Sequence, residues 1–285
     1  PNFTYHVYLF MKFFAVLQSL LPQHHLSRAA GWLGHLQSPS WLKSALVKAF
    51  MSSYSVSLKD AAIERAEDYP HFNAFFTRAL KSDARPLATS RWVMPADGEL
   101  SQRGSITDGA MIQAKGRNYT ASALLGGDSL AAQDFDNGSF ATIYLSPKDY
   151  HRIHMPTTGA LRRTRYVPGD LFAVNKSTAQ TVDQLFARNE RLVCYFDTVD
   201  GPLVLVLVGA IIVAGIETVW GGVEAPAPAT IRETHWSADD APTFAAGDEV
   251  GRFFLGSTVI LLTPQPLTWA AEVGATVKVK AELAD

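Results

Sequence analysis

The stretch Phe253-Phe254-Leu255-Gly256-Ser257-Thr258-Val259-Ile260 decides how this chain is read. Its apolar and β-branched residues predict a strand, yet a Gly-Ser pair sits at its centre. Glycine weakens a strand interior, and a buried serine must find a hydrogen-bond partner. One chemistry wants this arrangement: attack of the Ser257 hydroxyl on the carbonyl carbon of Gly256. Glycine has no Cβ, so the backbone can bend and the hydroxyl can approach. The peptide then becomes an ester, elimination cuts the chain, and the new N-terminus carries a pyruvoyl ketone. An isolated Gly-Ser is more often a turn, so the rest of the chain has to decide.

Upstream, from Pro86 onward, short apolar and β-branched runs alternate with Gly, Pro, Asp and Asn turns. Examples are Ala141-Thr142-Ile143-Tyr144-Leu145, Arg191 to Phe196, Leu203 to Val208 and Ile211 to Glu217, and their repetition predicts a mainly antiparallel β domain. Ser177 to Arg188 reads as a helical insert and Gly222 to Asp240 as a long loop. Between about Tyr5 and Leu80 the apolar residues recur at three- and four-residue spacings, which predicts helices. Ser40 and Ser57 are candidate N-caps, and Pro22, Pro39 and Pro70 punctuate. The expected fold is α+β, an N-terminal helical region packed on a mainly antiparallel β catalytic domain. The expected division is residues 1–85 and 86–285.

Composition narrows the function. With 25 basic and 27 acidic residues the chain lacks the basic surplus of a nucleic-acid binder. The single cysteine, Cys194, excludes an internal disulfide framework and reads as a core residue. Residues 1–21 show no signal peptide of the usual kind. Phe13 to Leu21 and Leu203 to Ile216 are both too short to span a bilayer, for which about 20 residues are needed. The second reads as two buried strands joined by a turn. The first helical stretch, rich in Phe and Tyr with sparse Lys and Arg, suits either a surface anchor on a membrane or a packed helix.

The densest polar cluster is Ser146-Pro147-Lys148-Asp149-Tyr150-His151-Arg152-Ile153-His154-Met155-Pro156. Two histidines three apart are weak zinc ligands, since no further Cys or His set completes a site. They also suit a solvated turn, or acid-base work near neutral pH. Asp97, in Pro95-Ala96-Asp97-Gly98, follows a short strand; Asp-Gly by itself is a turn signal. Ser257, His154 and Asp97 together would also serve a membrane-associated serine esterase, but Gly256-Ser257 is not a Gly-x-Ser-x-Gly elbow.

From residue 72 onward the chain resembles the phosphatidylserine decarboxylases. The resemblance is carried by Phe72-Asn73-Ala74-Phe75-Phe76-Thr77-Arg78, Pro95-Ala96-Asp97-Gly98, Ala114-Lys115-Gly116 and Leu124-Leu125-Gly126-Gly127. Tyr150 to Pro156, Pro168-Gly169-Asp170-Leu171-Phe172-Ala173-Val174-Asn175, Val208-Gly209-Ala210 and Leu255-Gly256-Ser257-Thr258 complete it. The resemblance implies a zymogen that cuts itself between Gly256 and Ser257, leaving residues 1–256 and 257–285 as associated β and α chains. Ser257 then becomes the covalent pyruvoyl cofactor. It further implies His154 as the base that takes the Ser257 proton, Asp97 orienting that imidazole, and His151 as the proton donor in turnover. The implied reaction converts phosphatidylserine to phosphatidylethanolamine and CO2 through a Schiff base with the pyruvoyl carbonyl. No metal is implied. The expected setting is a homodimer, peripheral on the cytoplasmic face of a bacterial cell membrane.

Overall fold

The computed structural model describes residues 22–114, 116–211, 215–254 and 256–285. The expected first helix, up to Leu21, lies outside the described residues. Two strands explain the architecture. Gly201–Val208 and Ser257–Thr263 are apolar at nearly every position and buried along almost their whole length. Such runs need cover on both faces. They pair antiparallel in the middle of a nine-stranded sheet, whose main path runs Arg232–His235, Gly159–Val167, Arg191–Thr198, Gly201–Val208, Ser257–Thr263, Ser139–Leu145, Gly98–Ser105, Thr276–Val277.

Alternation along these strands divides the core. Leu205, Leu207, Val259 and Leu261 face one side, where they meet Ile153, Ile216 and Phe253. Those three residues come from a second sheet of four strands, in the order Gly222–Ala225, Gly215–Thr218, Glu249–Phe254, Arg152–His154. Val204, Val206, Ile260 and Leu262 face the other side, covered by Leu124, Ala132, Leu185 and Phe186 from short helices.

A third cluster, including Val47, Leu58, Tyr69, Phe75 and Phe76, holds the helix Ser40–Tyr54 against the turns that follow it. The preceding helix, Gln23–Gly34, docks on the β part: the Leu171 N–H donates to Gln23 Oε1 at 2.6 Å. The antiparallel character, the helical N-terminal part and the two strands within 203–216 agree with expectation. Three details differ. No helix starts at Ser57; its hydroxyl accepts from Lys59 N in a turn, and between Ser57 and Leu80 only Ala66–Asp68 and Phe72–Phe76 are helical. The helical insert is two short pieces, Lys176–Ala179 and Leu185–Arg188, because Gln184 adopts φ +53° between them. The long loop after Gly222 contains the strands Gly222–Ala225 and Arg232–His235, whose tertiary pairing outweighs their turn-rich sequence.

Candidate active site

Ser257 begins a central strand and is fully buried. It shares the parity of Val259 and Leu261, so its side chain faces the layer between the two sheets. Its hydroxyl has no hydrogen-bond partner among the described residues. An orphaned buried hydroxyl costs roughly 1–3 kcal/mol. Thr142, Thr258 and Thr263 share that state, and Ser257 differs from them in following a glycine at positive φ. Immediately before it, Gly256 sits at φ +55°, with open space where a Cβ would be. That left-handed conformation is the one a glycine takes without penalty.

Register decides what faces this turn. Ser257 pairs with Leu145 on one side of it. On the other side Arg252 pairs with Arg152, and Phe253 N–H donates to the His151 carbonyl at 3.0 Å. The stretch 146–150 is therefore held opposite the segment carrying Gly256. The most polar segment of the sequence lies across from the bond proposed to break.

His151 is fully buried, with the Phe76 ring 4.1 Å away between centroids. Its Nδ1–H donates to the Asp149 carbonyl at 2.9 Å, because a carbonyl can only accept. That fixes the tautomer and leaves Nε2 as a bare lone pair with no partner. Burial pushes the His151 pKa down to about 3, so the ring is neutral at physiological pH.

His154 is held differently. Its Nδ1–H donates to the Gly247 carbonyl at 2.7 Å, and its Nε2 accepts from the Tyr150 hydroxyl at 3.0 Å. Burial depresses its pKa, and the bond to Gly247 opposes that shift only in part.

Asp97 is buried just before Gly98. That glycine is required, since a Cβ there would lie 2.3 Å from the Tyr144 carbonyl oxygen of the neighbouring strand. Arg85 grips the carboxylate with two bonds of 3.1 and 2.7 Å, Lys278 Nζ adds one at 3.0 Å, and Val279 N–H one at 2.8 Å. Burial alone would raise the Asp97 pKa. The Arg85 bonds, the Val279 N–H and the Lys278 charge together outweigh it and hold the group below the usual carboxylate value.

Among the described residues no hydrogen bond joins Asp97 to His154, or either of them to Ser257. Asp97 therefore does not orient the His154 imidazole in this arrangement; Gly247 and Tyr150 do. The link between the two is through backbone, His154 N–H donating to the Pro95 carbonyl at 2.8 Å. A cavity of about 300 Å³ reaches Asp97 and a smaller one of about 170 Å³ reaches His154; Arg85 and Tyr150 line both. Sequence reasoning passed over Arg85, Lys278 and Gly247, which carry no local signal. Tyr150 stood inside the quoted polar cluster and could have been found there.

Fold and site define a class: a β-sheet protein with an orphaned serine hydroxyl beside a left-handed glycine, and two tautomer-fixed histidines on the segment paired with the strand that precedes that glycine. The family model for phosphatidylserine decarboxylase matches residues 72–284, and one described as PSD matches residues 13–55. The chain is 54% identical over 257 residues to a phosphatidylserine decarboxylase proenzyme of Alcanivorax borkumensis, covering 89% of this chain and 88% of that one. A proenzyme of the same name from Azotobacter vinelandii is 54% identical over 88% of this chain and 89% of its own length. One from Ectopseudomonas mendocina is 49% identical over 94% of this chain and 96% of its own. This chain belongs to the phosphatidylserine decarboxylase family.

Proposed function

We propose that the chain is a self-processing phosphatidylserine decarboxylase whose pyruvoyl group is made from Ser257. The observation that carries this is the unpartnered, fully buried Ser257 hydroxyl next to a glycine at positive φ. The site fits that group, because the reacting residues are neighbours in the chain and nothing lies within 4 Å of where a Gly256 Cβ would be. In processing, the Ser257 Oγ gives up its proton to His154 and bonds to the Gly256 carbonyl carbon. His154 returns that proton to the Ser257 nitrogen as the peptide C–N bond breaks, leaving an ester and a free amine. Loss of the Ser257 α-proton then breaks the Cβ–Oγ bond, Gly256 departs as a carboxylate, and water replaces ammonia to leave the ketone. For His154 to act, its Nε2 lone pair must be released by the Tyr150 hydroxyl. Asp97 serves by holding Arg85 and Lys278 in place.

When present, the pyruvoyl ketone supplies an electrophile for the substrate amine and an electron sink for loss of CO2. His151 enters as a neutral imidazole, so it must gain a proton before it can give one. Its bare Nε2 suits uptake of the proton that the substrate ammonium has to lose, and return of a proton to carbon after CO2 has left.

After cleavage the two pieces stay together. Residues 257–285 contribute a strand paired on both sides inside the main sheet, and Glu282–Ala284 pairs with Trp92–Val93. We read residues 1–85 as the membrane-associating part and 86–285 as the catalytic part. Among the described residues no helix is long and apolar enough to cross a membrane. Trp32 and Trp41 are 67% and 70% exposed on the first two described helices, whose residues Leu33, Leu46, Phe50 and Tyr54 line an apolar groove. That supports peripheral contact with a lipid surface; the cytoplasmic face of the cell membrane is our assignment from the family reading. Pairing into a homodimer belongs to the same reading and is checked by analytical ultracentrifugation.

The deciding experiment is intact mass of active protein, which should show two chains, the smaller lacking a free amine and reacting with carbonyl reagents. A single uncut polypeptide with full decarboxylase activity overturns the proposal. Inactivation by serine-directed organophosphates, with no effect of carbonyl reagents, would point to the esterase.

A further inference from the structure

Arg78 closes the motif Phe72 to Arg78, and no step above uses it. It is only 6% exposed. One of its terminal nitrogens donates to the carbonyls of Lys148 at 3.1 Å and Asp149 at 3.4 Å, and it makes no ion pair among the described residues. The Asp149 carbonyl is the one that also accepts from His151 Nδ1. Arg78 and the proposed proton carrier are thus anchored on one atom. Burial depresses the Arg78 pKa, and the charges of Tyr69, Asp97 and Asp149 oppose that shift only in part, so the cation lacks a direct anionic partner.

The guanidinium lines the 300 Å³ cavity that also reaches Asp97. The acids on its wall are already engaged: Asp97 with Arg85 and Lys278, Asp60 with Arg85, and the Asp149 carboxylate with the Ser146 N–H and hydroxyl at 2.9 and 2.6 Å. Arg78, Lys148 and Lys59 on this wall make no direct ion pair among the described residues, although the charges of Asp97 and Asp149 favour the Arg78 cation from a distance. The volume is at the low end for ligand pockets, enough for a head group but not for acyl chains.

We infer that this cavity holds the phosphodiester of the substrate head group, with Arg78 as its anchoring cation and Lys148 at the rim. The inference rests on the decarboxylase reading and names the site that orients its substrate. Two anionic groups of the substrate compete for the role. A cation on the serine carboxylate would stabilise the group that has to lose its charge as CO2, and so would raise the barrier. The phosphodiester keeps its charge throughout. A cation there binds ground state and transition state alike, lowering KM while leaving kcat untouched. The surroundings of His151, a neutral ring against Phe76, suit the departing carboxylate, which is helped by a weakly solvating environment.

The test uses processed enzyme with a dispersed short-chain phosphatidylserine, CO2 release as readout, and dimethyl phosphate as competitor. Arg78→Gln should still cut itself and keep kcat within about threefold, with KM raised roughly 10- to 100-fold, the range of one charge-assisted contact. Dimethyl phosphate should inhibit the parent enzyme competitively and Arg78→Gln far more weakly, and Arg78→Lys should recover part of both effects. Unchanged KM and unchanged inhibition, or a fall in kcat alone, overturns the inference while leaving the decarboxylase reading intact. Should Arg78→Gln remain uncut, the exposed substitution Lys148→Glu decides. A raised KM with weaker dimethyl phosphate inhibition supports the inference, and parent values for both refute it. Absence of CO2 release from the parent enzyme would sink the decarboxylase reading itself.

Discussion

The neutral state of buried His151 has a consequence that can be measured without substrate. In the folded chain its pKa lies near 3, and in the unfolded chain near the ordinary value of about 6.5. Between those limits the unfolded state binds a proton at this position that the folded state does not. The folding free energy therefore rises with pH across this window and falls as the solution is acidified from pH 6.5 toward 3. One proton corresponds to about 1.4 kcal/mol per pH unit, and the unfolded imidazole is only half protonated at pH 6.5, so acidifying from pH 6.5 to 5 removes about 1.6 kcal/mol of stability through this residue. The measurement is urea unfolding at closely spaced pH values on the Ser257→Ala background, which keeps the chain whole. The comparison is the same protein carrying His151→Gln. His154 and the other titrating groups are common to both, so the difference in slope isolates His151. The variant should be flatter by close to one proton between pH 5 and 6.3. Equal slopes would falsify the claim that His151 is held neutral, and with it the proton bookkeeping proposed for turnover.

Other outcomes follow from the same geometry. Ser257→Ala should remain a single chain without decarboxylase activity, and a two-chain mass pattern in that variant would remove Ser257 as nucleophile. Gly256→Ala must place an L-residue at φ +55°, costing about 1–2 kcal/mol, and should slow cleavage; parent cleavage rates would show that the left-handed turn is incidental. Asp97→Asn leaves Arg85 with Asp60 alone and half-exposed Lys278 without an anion, and is expected to lose about 1–3 kcal/mol of stability and to process poorly. Unchanged melting would mean that the pairs contribute nothing. Trp32→Glu with Trp41→Glu should weaken sedimentation with anionic liposomes while soluble-substrate turnover persists. Undiminished binding would assign these side chains to contacts between copies of the chain.

Much of this protein was legible in one dimension. The strands at 141–145, 191–196 and 203–208 declare themselves through uninterrupted apolar and β-branched runs, because a strand buried on both faces has no polar side to alternate. Gly256-Ser257 could be recognised because two residues unfit for a strand interior interrupt an apolar run that reads as one strand; the structure breaks it there into Glu249–Phe254 and Ser257–Thr263, in different sheets. Where long-range pairing outweighed local preference, the reading failed: the turn-rich stretch after Gly222 forms strands only because Gly215–Thr218 and Gly159–Val167 offer edges to it. The site divides in the same way. Asp97, His151, His154 and Ser257 are chemically conspicuous residues, but their partners are not local. Asp97 is held by Lys278, 181 positions away, and His154 by Gly247, 93 positions away. Which nitrogen of each imidazole is free depends on a carbonyl delivered by folding, and that choice separates an occupied base from a bare one. Short-range side-chain chemistry chose the elements and the candidate atoms. Antiparallel register, which brings residues 146–150 over the segment carrying Gly256, decided what each of them faces.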